Sequence, residues 1–171
     1  DCFDKQINID FDVYYSGDNY IIKYPNVKLS KIILTEAGSV NPAIVGQPAY
    51  KIAELAGFKV DVKTKVLVGE REKIEANDPF AHEKLSPILA LYKAEDFDNA
   101  VNMAHDLVIL GGAGHTSILY TDASTQERIS KFANMLPTGR LLVNCPASQG
   151  AIGDLYNFRL EPSLTLGCGS W

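Results

Sequence analysis

The run Ile88-Leu89-Ala90-Leu91-Tyr92, followed closely by Asp96-Phe97-Asp98-Asn99-Ala100-Val101, decides the fold of this chain. Five apolar residues in succession read as a strand. Asp96 then supplies a cap for a helix in which Phe97, Ala100, Val101, Ala104, Leu107 and Val108 recur at three- and four-residue spacing. Gly111-Gly112-Ala113-Gly114 breaks that helix, and Ser117-Ile118-Leu119-Tyr120 reads as the next strand. Asp122 or Ser124 starts a helix carrying Ile129, Phe132, Ala133 and Leu136, with Gly139 as its stop and Arg140 to Asn144 as a further strand. Strand, helix, strand, helix, strand with tight connections predicts a parallel sheet built from right-handed crossovers. The expected class is α/β, in three layers, a mostly parallel sheet with helices on both faces.

Upstream, Val27, Leu29, Ile32, Ile33 and Leu34 line one side of a short helix predicted from Val27 to Ala37, with Gly38 as its stop. Pro48 fits the first position of a second helix, whose apolar residues are Tyr50, Ile52, Ala53, Leu55 and Ala56 and which Gly57 ends. Lys65 to Gly69 reads as a short buried strand. Ile7, Ile9 and Phe11 alternate with polar neighbours as a half-buried strand does, and Ser16-Gly17-Asp18-Asn19 supplies turn chemistry. After Cys145 the chain is rich in Gly and Pro and is expected to wind over the surface.

Composition narrows the function. A chain of 171 residues with 46 % hydrophobic and 22 % charged residues has the size and balance of one globular domain or a large piece of one. A net charge of −5 argues against nucleic acid or an anionic membrane as the main partner. No apolar run approaches the ~20 residues that span a bilayer, and no signal segment opens the chain. Cys2, Cys145 and Cys168 are an odd number without metal-ligand spacing, which suits reduced thiols in a cytosol. The chain starts at Asp1 without a methionine, and its only tryptophan, Trp171, stands at its tip; both point to a piece of a longer protein.

The stretch Pro79-Phe80-Ala81-His82-Glu83-Lys84-Leu85-Ser86-Pro87 holds a histidine and a carboxylate between two prolines, directly before the Ile88 strand. Each proline fixes its own φ and pushes its predecessor toward an extended conformation, so a stiff loop is expected. A carboxylate on it can accept hydrogen bonds from a sugar diol; a solvated turn kept soluble by Glu83 and Lys84 is the alternative. The Gly111–Gly114 cluster is not a dinucleotide fingerprint, because it follows a helix and opens a strand. No phosphate-loop or serine-hydrolase elbow occurs, and His82, His105 and His115 do not group with the cysteines as zinc ligands. His115 follows small residues at the start of a strand, where an imidazole can act as acid or base or simply bond a backbone carbonyl. His105, beside Asp106 in mid-helix, reads as a surface residue. Cys145 follows a strand, a position open to a thiol nucleophile and equally to an inert buried thiol.

Four stretches carry a resemblance to a known family. They are Ile44 through Pro48 to Gly57, then Pro79 to Pro87, then Gly114-His115-Thr116-Ser117, and finally Pro146-Ala147-Ser148-Gln149-Gly150 through Gly153-Asp154-Leu155-Tyr156-Asn157-Phe158 to Trp171. In order and spacing they resemble the aldehyde dehydrogenase half of bifunctional aldehyde–alcohol dehydrogenases, a CoA-acylating acetaldehyde dehydrogenase. The likeness runs from about Val40 to Trp171, and residues 1–30 diverge.

The resemblance implies a cysteine thiolate that attacks the aldehyde, hydride transfer from the thiohemiacetal to NAD, and a thioester taken up by coenzyme A. It implies a catalytic subdomain, here incomplete, with the NAD-binding subdomain absent. Glu83 matches the family glutamate that binds the nicotinamide ribose. His115 matches the active-site histidine of the acylating enzymes, and Leu166 falls in the segment that passes near the nicotinamide. The family's nucleophile sits in an Ile-Cys-Ala-Ser-Glu-like motif expected before Asp1, so neither Cys2, Cys145 nor Cys168 carries that role over.

The resemblance further implies a cytoplasmic, fermentative setting, aldehyde and CoA as small-molecule partners, the remaining domains of a parent protein, and a homo-oligomer. The isolated chain is expected to be inactive. A nucleophile-free relative serving as a binding or assembly module is the alternative expectation.

Overall fold

The computed structural model describes residues 6–9, 11–16, 19–22, 26–111 and 113–150. Expectations that fall on Cys2, Leu166, Cys168 and the segment 151–171 lie outside the described residues. The chain divides into two compact units, Asp1–Lys93 and Ala94–Trp171.

In the first unit, strands β1 (Gln6–Ile9), β2 (Phe11–Ser16) and β3 (Asn19–Ile22) pair antiparallel in sequence. Ile9 lies opposite Phe11 and Ser16 opposite Asn19, so the alternating stretch is several strands, not one. Alternation signals extended backbone but does not mark a reversal where no Gly or Pro stands, as between Ile9 and Phe11. Helices α1 (Asn26–Ile33) and α2 (Ala49–Leu55) follow, then β4 (Leu67–Arg71), parallel to β3, and β5 (Ile88–Tyr92), parallel to β4. The sheet order is β1-β2-β3-β4-β5.

Helix α1 ends before the expected Ala37. The Asn41 side chain donates to the Ile32 carbonyl at 2.9 Å and the Asn41 amide to that of Ile33 at 2.9 Å. These captured carbonyls close the helix early. Gly38 still turns the chain, at φ +79°, within a loop where its amide bonds Thr35. Helix α2 begins at Ala49, one residue later than expected: Pro48 is its extended N-cap, at ψ 153°, whose carbonyl accepts from Lys51 and Ile52, while Gly57 at φ +81° follows the helix as expected.

Leu29 and Ile33 of α1, Ile52 and Ala53 of α2, Leu67, Ile88, Ile44, Phe58 and Phe80 form one buried core, with Ala90 packed against it. The alternate residues of β5, Leu89 and Leu91, are 54 % and 44 % exposed. The period of two along β5 therefore sends Ile88 and Ala90 inward.

Parallel strands need a crossover of a dozen or more residues, ordinarily a helix. Between β3 and β4 that is α1 and α2. Between β4 and β5 it is residues 72–87, whose only helical piece is a 3-10 turn, Pro79–Ala81. The proline-bounded loop is thus the second half of that crossover.

The second unit holds α3 (Phe97–Gly111), β6 (Thr116–Leu119), α4 (Gln126–Met135), β7 (Arg140–Val143) and the short α5 (Ala147–Gly150). Strands β6 and β7 pair in parallel from Thr116↔Arg140 to Leu119↔Val143, with α4 as their crossover. The observed parallel pairings are therefore β3 with β4, β4 with β5 and β6 with β7, the α/β class expected, but among the described residues β5 belongs to the five-stranded sheet and does not pair with β6, so the single sheet expected through β5, β6 and β7 is two sheets.

Asp96 caps α3, its Oδ1 accepting from the Asn99 amide at 2.8 Å, while Asn99 Oδ1 accepts from the Glu95 amide at 3.2 Å. This is a reciprocal cap. Helix α4 instead begins at Gln126. Asp122 accepts from the Ser124 amide at 2.9 Å and so shapes the turn ahead of the helix. That contact holds the exposed Asp122 carboxyl below its usual range. Helix α4 stops at Met135, ahead of Gly139, because Pro137 pushes Leu136 out of helical conformation to ψ 114°. Val101, Phe132 and Leu136 are its buried core; Arg128 stacks 5.2 Å from the Phe97 ring, and Lys131 pairs with Asp98 at 2.6 Å. Among the described residues no helix is long and apolar enough to cross a membrane.

Candidate functional site

The β4–β5 crossover is built from its interior outward. Asp78 precedes Pro79 in extended conformation and its Oδ1 accepts from the Phe80 amide at 3.1 Å, so it caps the 3-10 turn. Its other oxygen accepts from Arg71 Nε at 2.6 Å, tying the turn to the end of β4. Asp78 is 5 % exposed, so this charge is held inside the structure by its partners. Phe80, 1 % exposed, packs over β4 at Gly69, and the Arg71 guanidinium lies 5.5 Å from its ring centre. A Cβ at Gly69 would lie 2.3 Å from Phe80 Cε1, so only glycine leaves room for the ring.

Past Phe80 the chain is clamped again. His82 Nε2 lies 2.7 Å from the Ala76 carbonyl, which can only accept, so this nitrogen carries the proton. Lys84 Nζ donates to the carbonyls of Phe80 at 2.7 Å and His82 at 2.6 Å. Burial lowers the Lys84 pKa, and the Asp78 and Glu83 carboxylates oppose that shift. Burial likewise raises the Tyr92 phenol, with Asp78 adding to the effect and Arg71 opposing it.

Leu85 takes φ +46°, a left-handed conformation that costs a non-glycine residue of order 1 kcal/mol or more. Its carbonyl accepts from the Gly46 amide at 3.2 Å. That bond joins the Ile44–Gly57 stretch to the Pro79–Pro87 stretch. The ladder of β4 with β5 then begins with the Leu67 amide on the Pro87 carbonyl at 2.9 Å.

On this frame Glu83 is exposed, a carboxylate presented from a loop whose neighbours are all tied down. His82, the other polar head of the loop, is occupied structurally by Ala76. Asp78, Arg71 and Gly69 escaped the sequence reading as partners of the loop, and Lys84, there a solubilising charge, is instead half-buried and bonded to the loop's own carbonyls. The Asp-Pro pair at 78–79 is the signal that marks the cap, whereas nothing local marks Arg71 or Gly69 as partners of the turn.

In the second unit His115 stands exposed at the entrance of β6, after the buried Gly114 at φ +117°. Its carbonyl accepts from the Arg140 amide at 3.3 Å, aligning it with the start of β7. At the other end of the same strands Asn144, at φ +53°, accepts from the Thr121 amide at 2.9 Å and donates to the Thr121 carbonyl at 2.8 Å. Cys145 follows, partly buried and outside any disulfide, with its Sγ 3.6 Å from the Pro146 carbonyl, and α5 packs against β6 and β7. His105 lies 3.3 Å from Asp106 on α3, on the surface as expected. Glu83 thus belongs to the first unit and His115 to the second, while Leu166 lies outside the described residues. No group of three or more His, Cys, Asp or Glu that could hold a metal occurs among the described residues.

No protein-family model matches the chain. The bifunctional aldehyde–alcohol dehydrogenase of Escherichia coli K12 is 57 % identical over 153 residues, which is 89 % of this chain and 17 % of that protein. A probable aldehyde dehydrogenase of Listeria monocytogenes superposes with a TM-score of 0.77 at 43 % identity, covering 88 % of this chain and 33 % of that structure. The propionaldehyde dehydrogenase of Rhodopseudomonas palustris, solved with bound CoA and an acylated cysteine, superposes with a TM-score of 0.65 at 28 % identity over 80 % of this chain and 30 % of its own. An engineered glycolyl-CoA reductase solved with NADP+ gives the same score and identity, with the same coverage of both chains. The chain therefore spans about a sixth of the bifunctional relative and a third of the solved enzymes. It is a homologue, over part of their length, of the acetylating aldehyde dehydrogenases and of the aldehyde dehydrogenase region of bifunctional aldehyde–alcohol dehydrogenases.

Proposed function

We propose that this chain forms part of a CoA-acylating acetaldehyde dehydrogenase, interconverting acetaldehyde, CoA and NAD with acetyl-CoA and NADH. The observation that carries the proposal is the 57 % identity over nearly the whole chain to a bifunctional aldehyde–alcohol dehydrogenase. The solved relatives bearing CoA and NADP+ support a nicotinamide nucleotide and CoA as ligands. NAD is proposed here from the likeness to the fermentative enzymes, and with it a cytoplasmic setting and a larger parent protein that assembles as a homo-oligomer.

The crossover loop suits a nicotinamide nucleotide chemically. An ionised carboxylate only accepts hydrogen bonds, and a ribose diol offers two hydroxyl donors, so Glu83 and the diol pair without an unmatched group. When bound, the nicotinamide supplies a hydride acceptor. Glu83 holds the ribose so that the ring's position follows from the rigid β4–β5 crossover. His115, exposed at the start of β6, holds or moves a proton on the acyl side. By the same likeness, Leu166 falls in the segment that passes near the nicotinamide. The nucleophilic cysteine comes from another part of the enzyme.

Two measurements test this reading. In the full-length enzyme carrying this chain, Glu83→Gln is expected to raise KM for NAD roughly 10- to 100-fold, the loss of a hydrogen bond to a charged group, while KM for CoA stays within about twofold. An unchanged KM for NAD would remove Glu83 from the site. The isolated 171 residues, given acetaldehyde, CoA and NAD, are expected to form no NADH; turnover would show that the nucleophile lies in this chain after all.

A further inference from the structure

Lys84 is the one charged group of the crossover whose side chain is spent entirely on the loop's own backbone. Its ammonium donates to the Phe80 carbonyl at 2.7 Å and the His82 carbonyl at 2.6 Å. The His82 carbonyl belongs to the peptide bond that leads into Glu83, so gripping it sets the orientation of that peptide plane. On the other side, the left-handed Leu85 and its bond to Gly46 hold the chain leaving Lys84. Glu83 is thereby fixed from before and after, while its carboxylate stays exposed.

The arrangement has a cost that a mere surface lysine avoids. A lysine loses rotamer freedom when immobilised, and burying its ammonium adds a desolvation penalty. Here burial opposes the charge, with Asp78 and Glu83 partly offsetting it. A lysine tied back onto the loop preceding it gives up water around its ammonium, and what is gained in exchange is a held orientation of the peptide leading into Glu83.

We propose that Lys84 is a positioning residue for Glu83, clamping the carbonyls of Phe80 and His82 so that the Glu83 carboxylate is held ready for the nucleotide, and that Lys84 itself touches no ligand. This rests on reading Glu83 as the ribose ligand. In the full-length enzyme, Lys84→Met is expected to raise KM for NAD about 5- to 10-fold with KM for CoA unchanged. Lys84→Arg, which can still donate to both carbonyls, is expected to restore most of the affinity. In a Glu83→Gln background, Lys84→Met is expected to add nothing further.

Each contrary result is distinct. If Glu83→Gln raises KM for NAD and Lys84→Met does not, Lys84 has no positioning role and the Glu83 reading stands. If Lys84→Met weakens NAD equally with or without Glu83, Lys84 meets the nucleotide directly and the proposal is wrong. If Glu83→Gln leaves KM for NAD unchanged, the reading of Glu83 fails and the proposal with it. If Lys84→Met and Lys84→Arg both lower the melting temperature and weaken NAD and CoA alike, the lysine is only structural and the proposal is overturned.

Discussion

Phe80→Ala is expected to destabilise the protein by about 3–5 kcal/mol, read as a lowered urea midpoint at unchanged slope. Phe80 is 1 % exposed and lies in one core with Leu29, Ile33, Ile52, Leu67 and Ile88. In a crossover without an α-helix, this one ring does the covering that a helix's apolar face ordinarily does. Its removal leaves a cavity over β4 that the surrounding α1 and α2 residues cannot fill without leaving their own rotamers.

The partner substitution tests the same contact from the other side. Gly69→Ala is expected to cost about 1–3 kcal/mol, because its Cβ would stand 2.3 Å from Phe80 Cε1 and the ring is too tightly packed to withdraw. In a Phe80→Leu background the Gly69→Ala cost is expected to shrink, since the clashing ring edge is gone. Additive costs in that double-mutant cycle would show that Gly69 is required for some other reason.

Asp78→Ala is expected to destabilise the protein by roughly 2–4 kcal/mol. Two bonds are lost at once: the cap on the Phe80 amide at 3.1 Å and the pair with Arg71 Nε at 2.6 Å. A lost cap costs about 0.5–2 kcal/mol. Removing one member of a buried pair costs more, about 3–5 kcal/mol, because the other charge stays behind. The Arg71 side chain is 30 % exposed, so water compensates part of that loss and the expected total falls below the sum.

Asp78→Asn keeps an oxygen for the Phe80 amide and loses only the charge, so it is expected to recover about half of the deficit. If Asp78→Asn were as damaging as Asp78→Ala, the ion pair alone would carry the stability and the cap nothing. Because Asp78 anchors the loop that carries Glu83, Asp78→Ala is also expected to raise KM for NAD in the full-length enzyme more than KM for CoA.

What was legible beforehand depends on the distance over which each signal acts. Asp96 as the cap of α3, Pro48 and Gly57 as the limits of α2, and Ile88 to Tyr92 as a strand follow from hydrogen bonds and steric rules within three or four residues. The expectation of a stiff loop from Pro79 to Pro87 rests on its prolines in the same local way. The end of α1 was not legible, because Asn41 reaches back eight or nine residues to the carbonyls of Ile33 and Ile32.

The sequence by itself determined the alternation of strands and helices, their approximate limits, and a proline-bounded loop carrying a carboxylate, since each is written in neighbouring residues. Only the tertiary structure decided that this loop lies in the crossover joining β4 to β5, that β1, β2 and β3 are separate strands, and that Gly69, Arg71 and Gly46 hold the loop in place. Those partners are brought together by strand pairing and side-chain packing, and pairing across a gap leaves no periodicity in either segment alone.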